Sequence, residues 1–354
     1  MIPKFLEGAG RGIADGYIRA TLGVAGAYWL VVALLLGVRY GFDLVGAAIL
    51  NLQPTTQIAL VVTGFAVLMI TAAVVDALVF PVTRLLEGYG PIWRGRLWVS
   101  TINRQLRRRQ TLLARWNRFA SLEKRTSAES MELVALDVKL RRFPDDPKDT
   151  MPTELGNILR ASERRPLERY GLDAVAVWTH LWLVLSDDVR REVLASRLVL
   201  DTAVRAFIWA LLLAPWAFLF WQPAAWHPPM AWVPPERTQL LFAAVIAAAV
   251  GGSWLAYLRA CSAAVPYGLT IEATFDVGRN ALYHALRMPL ASTAKEEKPI
   301  GKAVSRFLYR SFTNGLPPYV DIVEDTPADA TSVVARRLCG LLDAINPAPP
   351  EKKG

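Results

Sequence analysis

Three histidines, His180, His227 and His284, and two cysteines, Cys261 and Cys339, are the residues of this chain best suited to metal or nucleophile chemistry. They fall in different segments with no ligand spacing, and CxxC, HExxH, GxxxxGK[ST] and GxGxxG are all absent. Two isolated thiols read as buried and reduced. Gly251-Gly252-Ser253 sits inside an apolar stretch and lacks the rest of a nucleophile elbow, so helix packing is the better account. Asp145, Asp146 and Asp149 could in principle gather a divalent cation, yet acids around the turn Phe143-Pro-Asp-Asp-Pro147 read as solvated. With no enzyme signature, the expectation is a non-enzymatic protein without catalytic, cofactor-binding or metal-ligating residues.

Two charged residues interrupt otherwise apolar stretches long enough to cross a bilayer. Ala20 to Val38 and Leu240 to Leu258 are uncharged; Ile58 to Phe80 contains Asp76, and Ala203 to Trp221 contains Arg205. A helix of this length rises about 28 Å, close to the roughly 30 Å hydrocarbon layer. Helices are expected because a lone segment in lipid must satisfy its own backbone. Asp76 lies one turn from the end of its stretch and Arg205 just inside the start of its own, so their depths match. An isolated charge there costs a few kcal/mol, which predicts an intramembrane Asp76–Arg205 ion pair joining the second and third helices. A structural clasp is the plainer reading, an ion path or gate the sharper one.

The net charge of +9 first suggests an acidic partner, and its distribution narrows which. The stretch Arg84 to Arg125 carries eleven Lys or Arg against Glu87 and Glu123, whereas Arg39 to Gln57 and Gln222 to Gln239 are neutral. The positive-inside rule puts the basic stretch and both termini in the cytoplasm, with the short loops outside. The first apolar stretch starts late and no A-x-A-like cleavage site follows it, so it reads as a signal anchor. Arg94, Arg96, Arg104, Arg107, Arg108 and Arg109 are expected at anionic headgroups, at about 1 kcal/mol each. Topology then accounts for the basic excess, and with no nucleic-acid-binding signature the expectation is no nucleic acid partner.

The remaining segments read as helices. Phe80-Pro81 is expected to end or kink the second span. A basic helix follows from about Leu97 to Lys124, with Ile102, Leu106, Leu113, Trp116 and Ala120 near one face. Thr153 caps a helix through Leu155, Ile158 and Leu159. The apolar run Ala174 to Leu185 is too short to span and reads as a buried helix. Ser186 with Asp187 and Asp188 starts a helix that could run into the third span. Beyond the fourth span Pro266 marks a kink, followed by helices from about Thr270 to Leu286, Glu296 to Tyr309 and Thr326 to Ile345, then a tail, 346–354, expected to be disordered. Ala243, Ala247 and Gly251 form a small-residue row suited to helix packing within the chain or between copies. The fold class is therefore all-α, a membrane protein with four transmembrane helices and a helical cytoplasmic region. Its expected parts are 1–80 with the first two spans, a cytoplasmic domain 81–202, the last two spans in 203–258, a second cytoplasmic region 259–345, and the tail.

Three stretches, Arg84-Leu-Leu-Glu-Gly-Tyr89, Met151 to Trp178 and Tyr267 to Leu290, resemble multi-pass membrane proteins of actinobacteria and related bacteria. That group has no established activity, so the resemblance implies a bacterial membrane origin and no functional residues. The expected function is a membrane-anchored interaction or scaffold protein of the inner (plasma) membrane. Its partners would be anionic lipid headgroups, a cytoplasmic protein and a possible second copy. An oligomeric channel or pore-forming effector of a defence system is the other reading. The spans' few neutral polar residues, Thr63, Thr71 and Ser253, argue against a wide pore.

Overall fold

Proline and glycine punctuate the chain, and apolar runs with polar caps fill the intervals with helices. The computed structural model describes residues 11–93, 95–220 and 235–320. Its α-helices are α1 (Arg11–Tyr40), α2 (Phe42–Leu50), α3 (Pro54–Glu87), α4 (Arg96–Ala120), α5 (Ser127–Leu140), α6 (Glu154–Tyr170), α7 (Ala174–Val184), α8 (Asp187–Leu211), α9 (Pro235–Ala285) and α10 (Ala294–Arg310). No strand occurs among the described residues. Arg94, His227, Cys339, most of the second short loop, the helix expected from Thr326 and the tail lie outside them.

Side-chain caps satisfy the orphan N–H groups that open the polar helices. Thr126 and Glu129 form a reciprocal capping box at α5. Thr153 Oγ1 accepts from Gly156 N at 2.9 Å to start α6, Asp173 accepts from Val175 N to start α7, and Ser186 and Thr293 do the same for α8 and α10. Gly88 and Gly171 close α3 and α6 with φ of 107° and 75°, a conformation that costs an L-residue strain. At the other end of α3, Gln57 Nε2 donates to the carbonyls of Ile49, Leu50 and Leu52, covering the open end of α2.

Four helices are long and apolar enough to cross a membrane: Leu22–Tyr40, Pro54–Trp93, Asp187–Phe220 and Gln239–Ala285. Large apolar side chains such as Ile58, Val61, Phe65, Ile70 and Val74 stand exposed along α3. A continuous apolar surface of this kind is unfavourable in water and natural in lipid.

Several boundaries differ from the expectation, each for a physical reason. Helix α3 runs through Pro81 to Glu87, and α9 runs through Pro266 to Ala285. Proline removes one backbone bond and crowds the previous turn, at about 3 kcal/mol. Beyond it the helix continues, with Pro266 on the exposed face of α9 and Ala263 and Ala264 on the buried one. The third apolar stretch is not α-helical throughout: α8 ends at Leu211 and Ala214–Phe220 continues as a 3-10 helix. Pro215 accounts for this, since it has no N–H to donate to the Leu211 carbonyl and so interrupts the α-helical ladder there. The expected loop Arg39 to Gln57 contains α2, set off from α1 by Gly41 at φ 88°. The boundaries drawn after Phe80, Thr202 and Leu258 each fall inside an uninterrupted helix.

Helix α8 is the centre of the bundle, touching α1, α3 and α9, while α9 passes α8, α6 and α7 in turn. Three apolar clusters are strung along α9. Val245 meets Ala217 and Phe220. Ala260 and Ala264 meet Val75, Leu155, Leu200 and Val204. Phe275 and Leu282 meet Val177, Leu181 and Val304. The α4–α5 hairpin packs chiefly on itself and is tied to the rest by arginines.

Candidate functional site

Helix α8 carries Arg197, Asp201 and Arg205 one turn apart, so its polar groups form one stripe on an otherwise apolar face. Arg205 Nε and Nη2 both donate to Asp76 Oδ1 of α3, at 2.9 and 2.6 Å. The Arg205 side chain is 3% exposed and that of Asp76 31%, so the pair is buried from the arginine side. One turn along, Arg197 Nε donates to Asp201 Oδ1 at 2.9 Å and its guanidinium lies over the Tyr267 ring. Arginine does not give up its proton in proteins. The arginines of the stripe therefore hold fixed charges, an arrangement that suits a clasp between α3 and α8.

A second polar centre joins α9 to the polar helices. Glu272, 4% exposed, accepts from Arg141 Nη2 at 2.9 Å and from Arg165 Nη1, with Arg169 Nη2 at 3.8 Å. Asp276, one turn on, accepts from Tyr170 Oη at 2.6 Å. Two guanidiniums stabilise this buried carboxylate by charge-assisted hydrogen bonds, and the third, Arg169, adds its charge from 3.8 Å. Beside it, Glu154 binds Arg108 at 2.8 Å and Arg142 at 2.9 Å. Burial alone would raise the Glu154 pKa; these two guanidiniums outweigh it and hold it below the ordinary value.

The arginines expected at headgroups divide. Arg108 reaches Glu154, and Arg109 Nη2 donates to the Asp145 carbonyl at 2.7 Å, so both tie α4 to the helical body. Arg107 Nε donates to Asn103 O within its own helix. Arg96 and Arg104 are exposed and form no ion pair among the described residues, and Arg94 lies outside them. Arg108 and Arg109 are thus engaged within the chain, while the Arg108 side chain stays 50% exposed.

The small-residue row is corrected as an intrachain contact. Ala243, Ala247 and Gly251 are all exposed, and a Cβ on Gly251 would meet nothing within 4 Å. The face of α9 that packs carries Val245, Ala249, Ser253, Ala256 and Ala260, and a Cβ on neighbouring Gly252 would lie 3.2 Å from Ala210 Cβ.

Charge content within spans pointed to Asp76 and Arg205, but not to Arg197, Asp201 or Glu272. Arg197 and Asp201 fall outside the span boundaries, although their i,i+4 spacing with Arg205 is visible. Glu272 had no local signal, because its arginines are 107 and 131 residues away in sequence. Cys261 is buried; His180 and His284 lie on different helices, α7 and α9.

No family model, curated protein or solved structure matches this chain.

Proposed function

We propose that this chain is a non-enzymatic, multi-pass interaction protein of the bacterial inner (plasma) membrane, with both termini and its helical body in the cytoplasm. The body is a platform fixed rigidly to the bilayer. The observation that carries this reading is an apolar face left open on α5, outside every span. Met131, Val134 and Val138 share one side of the helix and are 67%, 62% and 55% exposed. An apolar strip on a polar helix is characteristic of a protein-binding surface. On α4, Arg96 and Arg104 are free of ion pairs among the described residues and suit anionic headgroups.

The experiment is photo-crosslinking in cells from an amino acid introduced at Val134. One discrete protein adduct, lost when Met131→Glu and Val138→Glu are added, is the expected result. Adducts to lipid alone would overturn the reading.

One observation favours the second reading, an oligomeric channel. The outward row Ala243, Ala247 and Gly251 offers another copy a close approach. Dye-loaded proteoliposomes separate the two: the platform reading expects no ion flux, and flux abolished by Gly251→Leu would replace it with the channel.

A further inference from the structure

Five cationic side chains surround a cavity of about 570 Å³ between α6 and α10: Arg160, Arg164, Lys302, Arg306 and Arg310. Only one acid lines it, Asp173, and its Oδ1 is occupied in capping α7 through Val175 N. Arg160 and Arg164 share Asp149 Oδ1, at 3.1 and 2.9 Å. Lys302, Arg306 and Arg310, one turn apart on the exposed face of α10, make no ion pair among the described residues.

Elsewhere the arginines at the helix junctions are matched to carboxylates. Arg141 and Arg165 converge on Glu272, and Arg108 and Arg142 on Glu154. Around the recess Arg160 and Arg164 are matched to Asp149, and Arg160 also to Glu163 at 3.6 Å, whereas Lys302, Arg306 and Arg310 have no such match among the described residues. Here like charges are brought together by a tight packing arrangement. A Cβ on Gly171 would lie 2.1 Å from the Lys298 carbonyl, and one on Gly301 would lie 2.0 Å from the Tyr170 carbonyl. Only glycine lets α10 come this close to the end of α6. Ser305 Oγ then donates to Gly171 O at 3.2 Å and accepts from Asp173 N at 2.9 Å, locking the register. Val304, fully buried, anchors the opposite face of α10. The fold thus holds mutually repelling cations around an open space, and a multivalent anion placed there relieves the repulsion.

We propose that this recess is a binding site for a small, soluble anion bearing two or more phosphate groups. The guanidiniums of Arg160, Arg164, Arg306 and Arg310 match phosphate oxygens in fork geometry, and Lys302 adds a point charge. Tyr309 and Phe312 line the same cavity and offer an aromatic face to an organic part of the ligand. The volume is that of a small-molecule pocket, whereas a nucleic acid is bound along an extended basic track. The recess borders, through Ala176, the apolar cluster that includes Ile271 and Phe275. At 1.5 Å per residue these lie roughly 20–25 Å along α9 beyond Leu258, the last residue of the apolar stretch, so a dissolved ligand is favoured over a headgroup.

The test is calorimetric titration of the full chain, in nanodiscs of zwitterionic lipid, with inorganic triphosphate and with ATP. Saturable one-to-one binding of either is expected, weakened about tenfold or more in Lys302→Gln/Arg306→Gln because two charge-assisted contacts are lost. Both side chains are exposed, so the variant should keep the wild-type melting temperature; Arg96→Gln, on another helix, should keep the affinity. Absence of saturable binding, or equal affinity in the double variant, overturns the proposal. So does binding seen only when a bisphosphorylated lipid is added to the discs, or duplex DNA binding more tightly than both probes.

Discussion

Arg205 brings a permanent charge into the apolar part of the bundle, and its counter-charge is the Asp76 carboxylate at 2.6 Å. Asp76→Asn keeps the shape and removes that charge. Breaking a buried pair from one side costs about 3–5 kcal/mol, and the 31% exposure of the Asp76 side chain places the expected loss below that range. Arg205→Gln leaves an unpaired carboxylate within the span, which should also cost up to a few kcal/mol. The double variant should be more stable than the two separate losses imply. Melting temperatures in detergent check this, and strictly additive losses would refute the clasp. A second residue-scale prediction concerns Glu168. Burial, and then its hydrogen bond to Asp145, push its carboxyl up to about 7; Asp149 adds to the rise and Arg165 opposes it. The folded value lies above the ordinary 4.5, so the protonated form favours the fold. That stabilisation is complete below 4.5, fades between 4.5 and about 7, and is absent above. Glu168→Gln stays neutral throughout. It should match wild type near pH 4.5 and melt progressively higher than wild type towards pH 8; a constant difference across that range would rule out the titration.

Between elements, the junction of α3 and α6 depends on a missing side chain. A Cβ on Gly156 would sit 1.9 Å from the Glu87 carbonyl, the same carbonyl that accepts from Thr153 Oγ1 at 3.0 Å. Gly156→Ala must push the two helices apart, with an expected loss of about 1–3 kcal/mol or more. Denaturation monitored by tryptophan fluorescence would register it, and an unchanged midpoint would mean that α6 sits elsewhere. On α9, Gly252→Leu should destabilise against Ala210 while Gly251→Leu leaves the monomer within about 0.5 kcal/mol, because its site is open. Equal effects would contradict the orientation of this helix. Caps and apolar runs made these elements legible beforehand: Thr153, Ser186 and the Ala174 run mark starts that the structure has. Proline was harder to read. Pro81, expected to end or kink its span, and Pro266, expected as a kink, both lie inside continuous helices, while Pro215, just past the end of α8, sits unmarked within an apolar run. The capping box Thr126-x-x-Glu129 is a readable start for α5.

At the scale of the whole chain, hydropathy marks the four apolar helices because each span satisfies its own backbone and needs no partner to be recognised. Partners between distant segments leave no such trace, so Glu272 and the cation-lined recess emerge only from the fold. The same architecture constrains sidedness. Helix α3 enters the body at Glu87, whose carbonyl meets Thr153, and its other end near Leu52 is about 50 Å away along the helix axis. Helices α8 and α9 both continue from apolar segments into that body, so the platform reading expects α5 and α10 on one face of the membrane, opposite Leu52. Single cysteines at Leu52, Val134 and Lys302, in a chain with Cys261→Ala and Cys339→Ala, make this measurable. A membrane-impermeant maleimide added to spheroplasts should label Leu52→Cys alone, and inverted vesicles should expose Val134→Cys and Lys302→Cys together. Labelling of Leu52→Cys and Val134→Cys from one face would mean that α3 does not cross. A split between Val134→Cys and Lys302→Cys would mean that the body straddles the bilayer, and either result would remove the ground for a platform on one side.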